Sequence, residues 1–218
     1  MKNAFVIATA HQKGGTGKST TAISLAIELD KVYDTVVVDL DKVQKSLTTC
    51  LLKRKRSGLA VPTLVDISTA EEVKQLINTT PKVILIDVGG YDSPAGRMAL
   101  LGADIILSPV SDSGIELDAL VAWRGIIRNI RESRKDLRAT MVFTRIHTFA
   151  GEKSLGAARD WMLEQEEFDF CPVILRERKG AYREAYDNGK SVVEVGGAAA
   201  DEMNDLIQYI KEKIDGTN

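Results

Sequence analysis

The segment Lys13-Gly14-Gly15-Thr16-Gly17-Lys18-Ser19-Thr20 has residue types and spacing suited to binding phosphate. It follows a short apolar run, residues 4–10, and leads into an amphipathic stretch that starts at Lys18. Glycines allow successive backbone N–H groups to turn inward around phosphate oxygens. A helix opening at Lys18 points the positive end of its dipole at the same anion. Lys18 would reach the β and γ phosphates, and the Ser19 hydroxyl would ligate Mg²⁺. The chemistry expected is capture of a nucleoside triphosphate by Gly14, Gly15, Thr16, Gly17, Lys18, Ser19 and Thr20.

Carboxylates close the apolar runs that follow. Asp39 and Asp41 end TVVVDLD, and strand alternation places both side chains on one face. The carboxyl edge of an open α/β sheet is where ligands bind. Asp87 ends VILID and is followed by Val88-Gly89-Gly90-Tyr91-Asp92, whose two glycines read as a flexible switch. His11 and His147 are the two histidines, and neither sits in a catalytic motif. His11 reads as a packed neighbour of the loop. Without a strong general base, slow hydrolysis by positioning and charge neutralisation is expected.

The elements that must position these groups alternate along the whole chain. Strands are expected at 5–9, 35–40, 63–67, 82–88, 104–109, 140–144 and 172–175. Helices are expected at 18–29, 70–78, 95–101, 115–135, 154–166, 181–188 and 198–213. Continuous apolar runs such as VILIDV signal strands buried on both faces. The fold class expected is α/β: a three-layer, doubly wound, mostly parallel sheet, organised as one domain over residues 1–218. A chain of 218 residues with 44% hydrophobic and 28% charged residues can bury about 70% of its unfolded surface without disulfides. Cys50 and Cys171 stand far apart and outside any ligand motif, so they read as reduced thiols in a cytoplasmic protein.

The loop departs from the general G-x-x-x-x-G-K-[ST] rule, because Gln12 takes the first glycine position and Lys13 precedes the glycine pair. KGG-x-GK-[ST] with an extra lysine resembles the deviant Walker A motif of the ParA/MinD superfamily of P-loop ATPases. The resemblance implies that Lys13 reaches the nucleotide of the other subunit in an ATP-dependent homodimer, acting with Lys18 and Asp41 in catalysis. It implies that Asp39 lies near Mg²⁺ and that Asp41 positions the attacking water. Asp87 resembles the Walker B aspartate, so Ser19, Asp39 and Asp87 are the metal candidates. Where family members carry Pro-Gln, this chain reads Lys42-Val43-Gln44 after Asp41, which alters the switch segment.

Charge position then decides the partner. The net charge is −2. Residues 42–56 carry +6, 121–147 carry +5 and 176–190 carry +2, leaving −15 on the rest. On a helix continued to residue 138, Arg124, Arg128, Arg131, Lys135 and Arg138 fall within about 40° of one direction. Ile115, Ala119, Ala122, Trp123, Ile126, Ile130 and Leu137 gather opposite, as a core face. A stripe of this kind neutralises phosphates without reading sequence. Arg178, with Arg176, Lys179 and Arg183, forms a second candidate, and the cluster at 53–56 is a third or a solvated loop.

The chain is most similar to the small ParA-type DNA partition ATPases, which implies nonspecific DNA binding, a small centromere-binding adaptor and nucleoid association. A MinD-like or organelle-positioning ATPase is the alternative. An enzyme of metabolism and an inert nucleotide-binding module are the remaining classes. Met203, Leu206, Ile207, Ile210 and Ile214 line one stripe of the last helix, but acids outnumber lysines around it. Membrane helices carry Lys and Arg there, so a core helix and no membrane partner are expected.

Overall fold

The computed structural model describes residues 4–80, 82–90, 92–111, 117–148, 150 and 152–216. Seven strands form one sheet: β1 (Phe5–Ala10), β2 (Thr35–Asp39), β3 (Thr63–Val65), β4 (Val83–Gly89), β5 (Ile105–Val110), β6 (Ala139–Ile146) and β7 (Phe168–Arg176). Their order is β3-β2-β4-β1-β5-β6-β7. Every pairing in it is parallel. Among the described residues eight helices connect and flank them: α1 (Lys18–Tyr33), α2 (Ser46–Arg56), α3 (Ala70–Thr79), α4 (Pro94–Gly102), α5 (Leu117–Arg131), α6 (Glu152–Leu163), α7 (Lys179–Asp187) and α8 (Ala198–Asp215).

The sheet separates two apolar cores, which gives the three layers. Val6, Ala8 and Ala10 of β1 and Ile84, Ile86 and Val88 of β4 face α3–α6. Ile7, Val37, Val83 and Leu85 face α1, α2, α7 and α8. All of β4 is buried, as its unbroken apolar run demands. Thr9 and Asp87 are paired neighbours in the β1–β4 register, one residue short of the loop that matters most. The α/β three-layer architecture expected from the sequence is therefore observed.

Three differences have physical causes. Helix α2 falls where the sequence reading placed only a basic cluster or solvated loop. Its buried stripe is Leu47, Cys50, Leu51 and Arg54, and one of these four is a cation. Helix α5 ends at Arg131, so Lys135 lies in a turn that follows, Arg138 lies just before β6, and both leave the helical stripe. On α5 the buried side chains are Leu120, Trp123, Ile127 and Ile130, while Ala122 is exposed. Ile115 and Tyr91 lie outside the described residues.

The last helix packs as a core helix. Met203, Leu206, Ile207, Ile210 and Ile214 are all buried. Among the described residues no helix is long and apolar enough to cross a membrane. Cys50 and Cys171 are free and buried, and burial pushes both thiols up to about 11.

Candidate nucleotide site

The loop from His11 to Gly17 joins the end of β1 to the start of α1. Gly15 and Gly17 have φ of 79° and 95°, the left-handed region where a side chain is strained. Helix α1 starts without a side-chain cap and without an acid in its first turn. Its first N–H groups and its dipole are thus available to an anion. Lys18 is buried at the helix start, and its Nζ donates to the Lys13 carbonyl at 2.8 Å. Burial lowers the Lys18 pKa, while the charges of Asp87 and Asp41 oppose that shift.

Asp87 is fully buried. Its Oδ1 accepts the Thr9 hydroxyl at 3.0 Å, and the Ser19 hydroxyl also bonds to its carboxylate. Burial pushes Asp87 up to about 6; the Ser19 bond opposes this and the charge of Asp39 adds to it. Its Oδ2 is buried with no partner among the described residues. An orphaned buried carboxylate oxygen beside a serine hydroxyl fits a hard cation that keeps most of its ligands as water and phosphate oxygen. Ser19 and Asp87 therefore suit Mg²⁺.

Asp39 stands beside Asp87 in the β2–β4 register, and its carboxylate is engaged by neighbouring N–H and hydroxyl groups. Its Oδ1 accepts the Asp41 N–H at 3.1 Å. Its Oδ2 accepts both the N–H and the hydroxyl of Thr48, at 2.9 and 3.0 Å. Asp39 thus satisfies an open N–H in the first turn of α2 and anchors that helix. Asp41 keeps its place at the cleft. Its Oδ1 accepts the N–H groups of Val43 and Gln44 at 3.1 and 3.0 Å, folding the switch segment into a tight turn.

Gly89 and Gly90 close the arrangement. Gly89 has φ of 75°, and a Cβ there would lie 3.2 Å from Asp41 Cβ. A Cβ on Gly90 would lie 3.3 Å from the Gln12 carbonyl and 3.7 Å from Lys18 Nζ. The segments after β2 and β4 thus meet over the phosphate loop. Their cleft of about 830 Å³ is lined by Lys18, Ser19, Asp41, Gly90, Arg145 and Tyr182, among others.

Two residues that sequence reasoning passed over fasten the loop from β6. The Thr144 hydroxyl donates to the Thr16 carbonyl, and Arg145 donates to the Gly15 carbonyl. Arg145 has φ of 55°, unusual for a residue with a side chain. The signal available was position alone, since both stand at the carboxyl end of a strand. His11 is a packed neighbour as expected: it is 1% exposed, and burial lowers it to about 4.

With this geometry in place, similarity to known proteins becomes informative. The family model for the ATPase MipZ matches residues 5–167. The chain belongs to the MipZ ATPase family. It is a ParA/MinD-type deviant Walker A P-loop ATPase, as the loop motif implied. It is 25% identical to the maintenance of carboxysome distribution protein A of Halothiobacillus neapolitanus, over 95% of this chain and 96% of that one. It is 34% identical to the chromosome-partitioning ATPase Soj of Thermus thermophilus, over 56% of this chain and 52% of that one. A putative plasmid partition protein of Borrelia burgdorferi bound to AMPPNP superposes with a TM-score of 0.70, at 17% identity, covering 99% of this chain and 100% of that one. The ATP complex of Cyanothece McdA superposes at 0.72, with 18% identity over 99% and 98% of the two chains.

In this MipZ-family ATPase the basic stripe of α5 is cross-paired rather than free. Arg124 and Arg128 each donate through Nε to Glu167, at 2.8 and 2.7 Å. Arg131 donates to the Glu166 carbonyl, and Arg138 pairs with Asp169 at 3.1 Å. Burial alone would raise Glu167, but the bonds from Arg124 and Arg128 hold it below the usual carboxylate range. The acids missing from the helical line arrive from the segment around the start of β7. Arg178 is also paired, with Glu202 of α8 at 2.7 Å. Arg54, from the third basic cluster, is buried and forks onto both oxygens of Glu194, at 2.7 and 2.9 Å.

Proposed function

We propose that this MipZ-family ATPase acts, as a single domain over residues 1–218, as an ATP-switched partition ATPase. ATP closes a homodimer, the dimer binds DNA without reading sequence, and hydrolysis releases it. The observation that carries the switch is the meeting of Asp41 and Gly89–Gly90 over Lys18 and the Gln12 carbonyl. The segments after β2 and β4 sit where a γ phosphate would separate or hold them.

The residues divide the work. Gly14, Gly15, Thr16, Gly17, Ser19 and Thr20 offer N–H groups to the phosphates, and Lys18 exchanges the Lys13 carbonyl for phosphate oxygen. Asp41 positions the attacking water, and Lys13 serves the partner subunit's nucleotide. Ser19 and Asp87 would hold Mg²⁺, which supplies charge neutralisation on the phosphate oxygens when bound. Asp39 supports the site indirectly by fixing α2.

For DNA the support is charge together with kinship to Soj and to plasmid partition proteins. The carboxysome-distribution relative, which spans nearly the whole chain, favours a second reading in which the cargo is a protein body, brought by a different adaptor. Both readings place the ATPase at the nucleoid in the cytoplasm, with no membrane partner.

The test is light scattering and DNA binding with and without ATP and Mg²⁺, across a salt series, in wild type and Glu167→Gln. The wild type is expected to dimerise with ATP and to bind DNA with a negative salt slope. Glu167→Gln frees Arg124 and Arg128 and is expected to steepen that slope by up to about 2, close to one per phosphate contacted. Absence of both ATP-dependent dimers and salt-sensitive binding refutes the function. An unchanged slope in Glu167→Gln removes α5 from the DNA surface.

A further inference from the structure

His11 carries a combination that packing alone does not explain. The ring is 1% exposed, and its Nδ1 accepts the Lys13 N–H at 3.1 Å. That bond places the ring proton on Nε2, and Nε2 is buried with no partner among the described residues. An apolar side chain of similar size would fill the space and leave no orphaned donor. What it could not do is accept the Lys13 N–H.

We propose that His11 is a positioning residue that holds the backbone of Lys13 and ties it to α5. The inference rests on the ATP-switch reading for its consequence, but its geometry stands by itself. Lys13 is held at both polar backbone groups, its N–H by His11 Nδ1 and its carbonyl by Lys18 Nζ at 2.8 Å. When Lys18 turns to a phosphate, its hold on the carbonyl is lost and the bond to His11 remains. The imidazole cannot swing to follow, because it lies against Trp123 of α5, with ring centroids 5.7 Å apart and planes tilted by 39°. Trp123 is itself fixed, 3% exposed and donating through Nε1 to the Ser108 hydroxyl of β5 at 3.1 Å. A line of rigid contacts therefore runs from β5 through Trp123 and His11 to the peptide of Lys13.

The consequence is specific. His11 fixes the direction in which the Lys13 side chain leaves the loop, and a shift of the loop is felt first by Trp123. The position needs a hydrogen-bond acceptor two residues before Lys13, not a base and not merely bulk. Asparagine can supply one, since its side-chain oxygen bonds the N–H two residues on. Leucine can fill the space but cannot accept.

The test compares wild type, His11→Asn and His11→Leu. The first readout needs no activity: exchange of the Lys13 amide in the nucleotide-free protein, followed by NMR. Expected is an exchange rate at least tenfold faster in His11→Leu than in the wild type, with protection largely restored in His11→Asn. The second readout is ATP hydrolysis, in which His11→Leu is expected to lose at least tenfold in kcat with KM changed less than threefold, and His11→Asn to recover most of it. The third is Trp123 emission in a Trp161→Phe background, which leaves Trp123 as the one tryptophan of the chain. ATP is expected to shift that emission in the wild type and not in His11→Leu. Unchanged amide exchange in His11→Leu overturns the proposal, and so does a His11→Asn variant as impaired as His11→Leu. A wild type that neither hydrolyses ATP nor dimerises overturns the switch reading instead, while the Lys13 amide still reports on His11.

Discussion

Replacing Asp87 by asparagine should stabilise the nucleotide-free protein while abolishing its activity. Asp87 is fully buried, with one oxygen bonded to Thr9 and the other without a partner among the described residues. Its pKa rises from 3.8 to about 6 on folding, so the folded state disfavours the charged form. A rise of that size corresponds to about 3 kcal/mol of destabilisation at neutral pH. Asparagine keeps an acceptor for Thr9 and removes the charge, but its amide donor then lacks a partner, at about 1 kcal/mol or more. A net gain of about 1–2 kcal/mol remains, or roughly 2–8 °C in melting temperature for a chain of this length. The sign with pH follows from the direction of the shift. Below pH 4 both states are protonated and the variant gains nothing. Its advantage grows as pH rises from about 4 to 6 and is level above that. Thermal melts in chelator, from pH 4.5 to 8, measure this directly. A variant that melts below wild type at pH 7.5, or a difference that does not change with pH, would refute the reasoning. ATP with Mg²⁺ should stabilise the wild type more than the variant and shrink the gap.

Two further substitutions address the architecture around the site. Gly90→Ala presses a methyl group against the Gln12 carbonyl and Lys18 Nζ. ATP affinity, read with a fluorescent analogue, should fall at least tenfold while the melting temperature stays within about 2 °C of wild type. Arg54→Ala removes the buried member of a bidentate ion pair, leaves Glu194 with Lys31 as its ion partner at 3.4 Å, and strips the Ala60 and Gly189 carbonyls of their donor. Chemical denaturation should show a loss of about 2–3 kcal/mol.

The sequence made the phosphate loop and the β1–α1 unit legible because everything that defines them is local. Glycine spacing, two lysines and one serine lie within eight consecutive residues, and the flanking apolar runs announce the strand and the helix. The buried parallel strands were equally readable, since a run such as VILIDV fits no solvent-facing element. The failures share one cause, which is partners distant in sequence. Arg54 counts as a surface cation until Glu194, 140 residues away, is brought against it. Arg124 and Arg128 read as a free stripe until Glu167 arrives from the start of β7. Asp39 reads as a metal candidate from its strand-end position; what stayed hidden is its bond to Thr48, on a helix that the cluster of cations concealed. Thr144 and Arg145 carry no motif, and only the assembled sheet shows that they grip the loop.

Helix α2 is bolted at both ends. Asp39 holds its first turn, and its last turn is locked through Arg54 to Glu194 and to the carbonyls of Ala60 and Gly189. A Cβ on Gly189 would fall 2.3 Å from the Arg54 backbone nitrogen, so the two segments leave no slack between them. The helix therefore behaves as a stiff strut and not as a lever. Compliance on this face is confined to the bridge at 40–45, whose middle residue Val43 is 92% exposed. Under the proposed switch, the nucleotide state would be displayed here as a change in the shape of a few residues, without amplification. A protein reading that state from this side would have to touch Lys42, Val43 and Gln44 themselves.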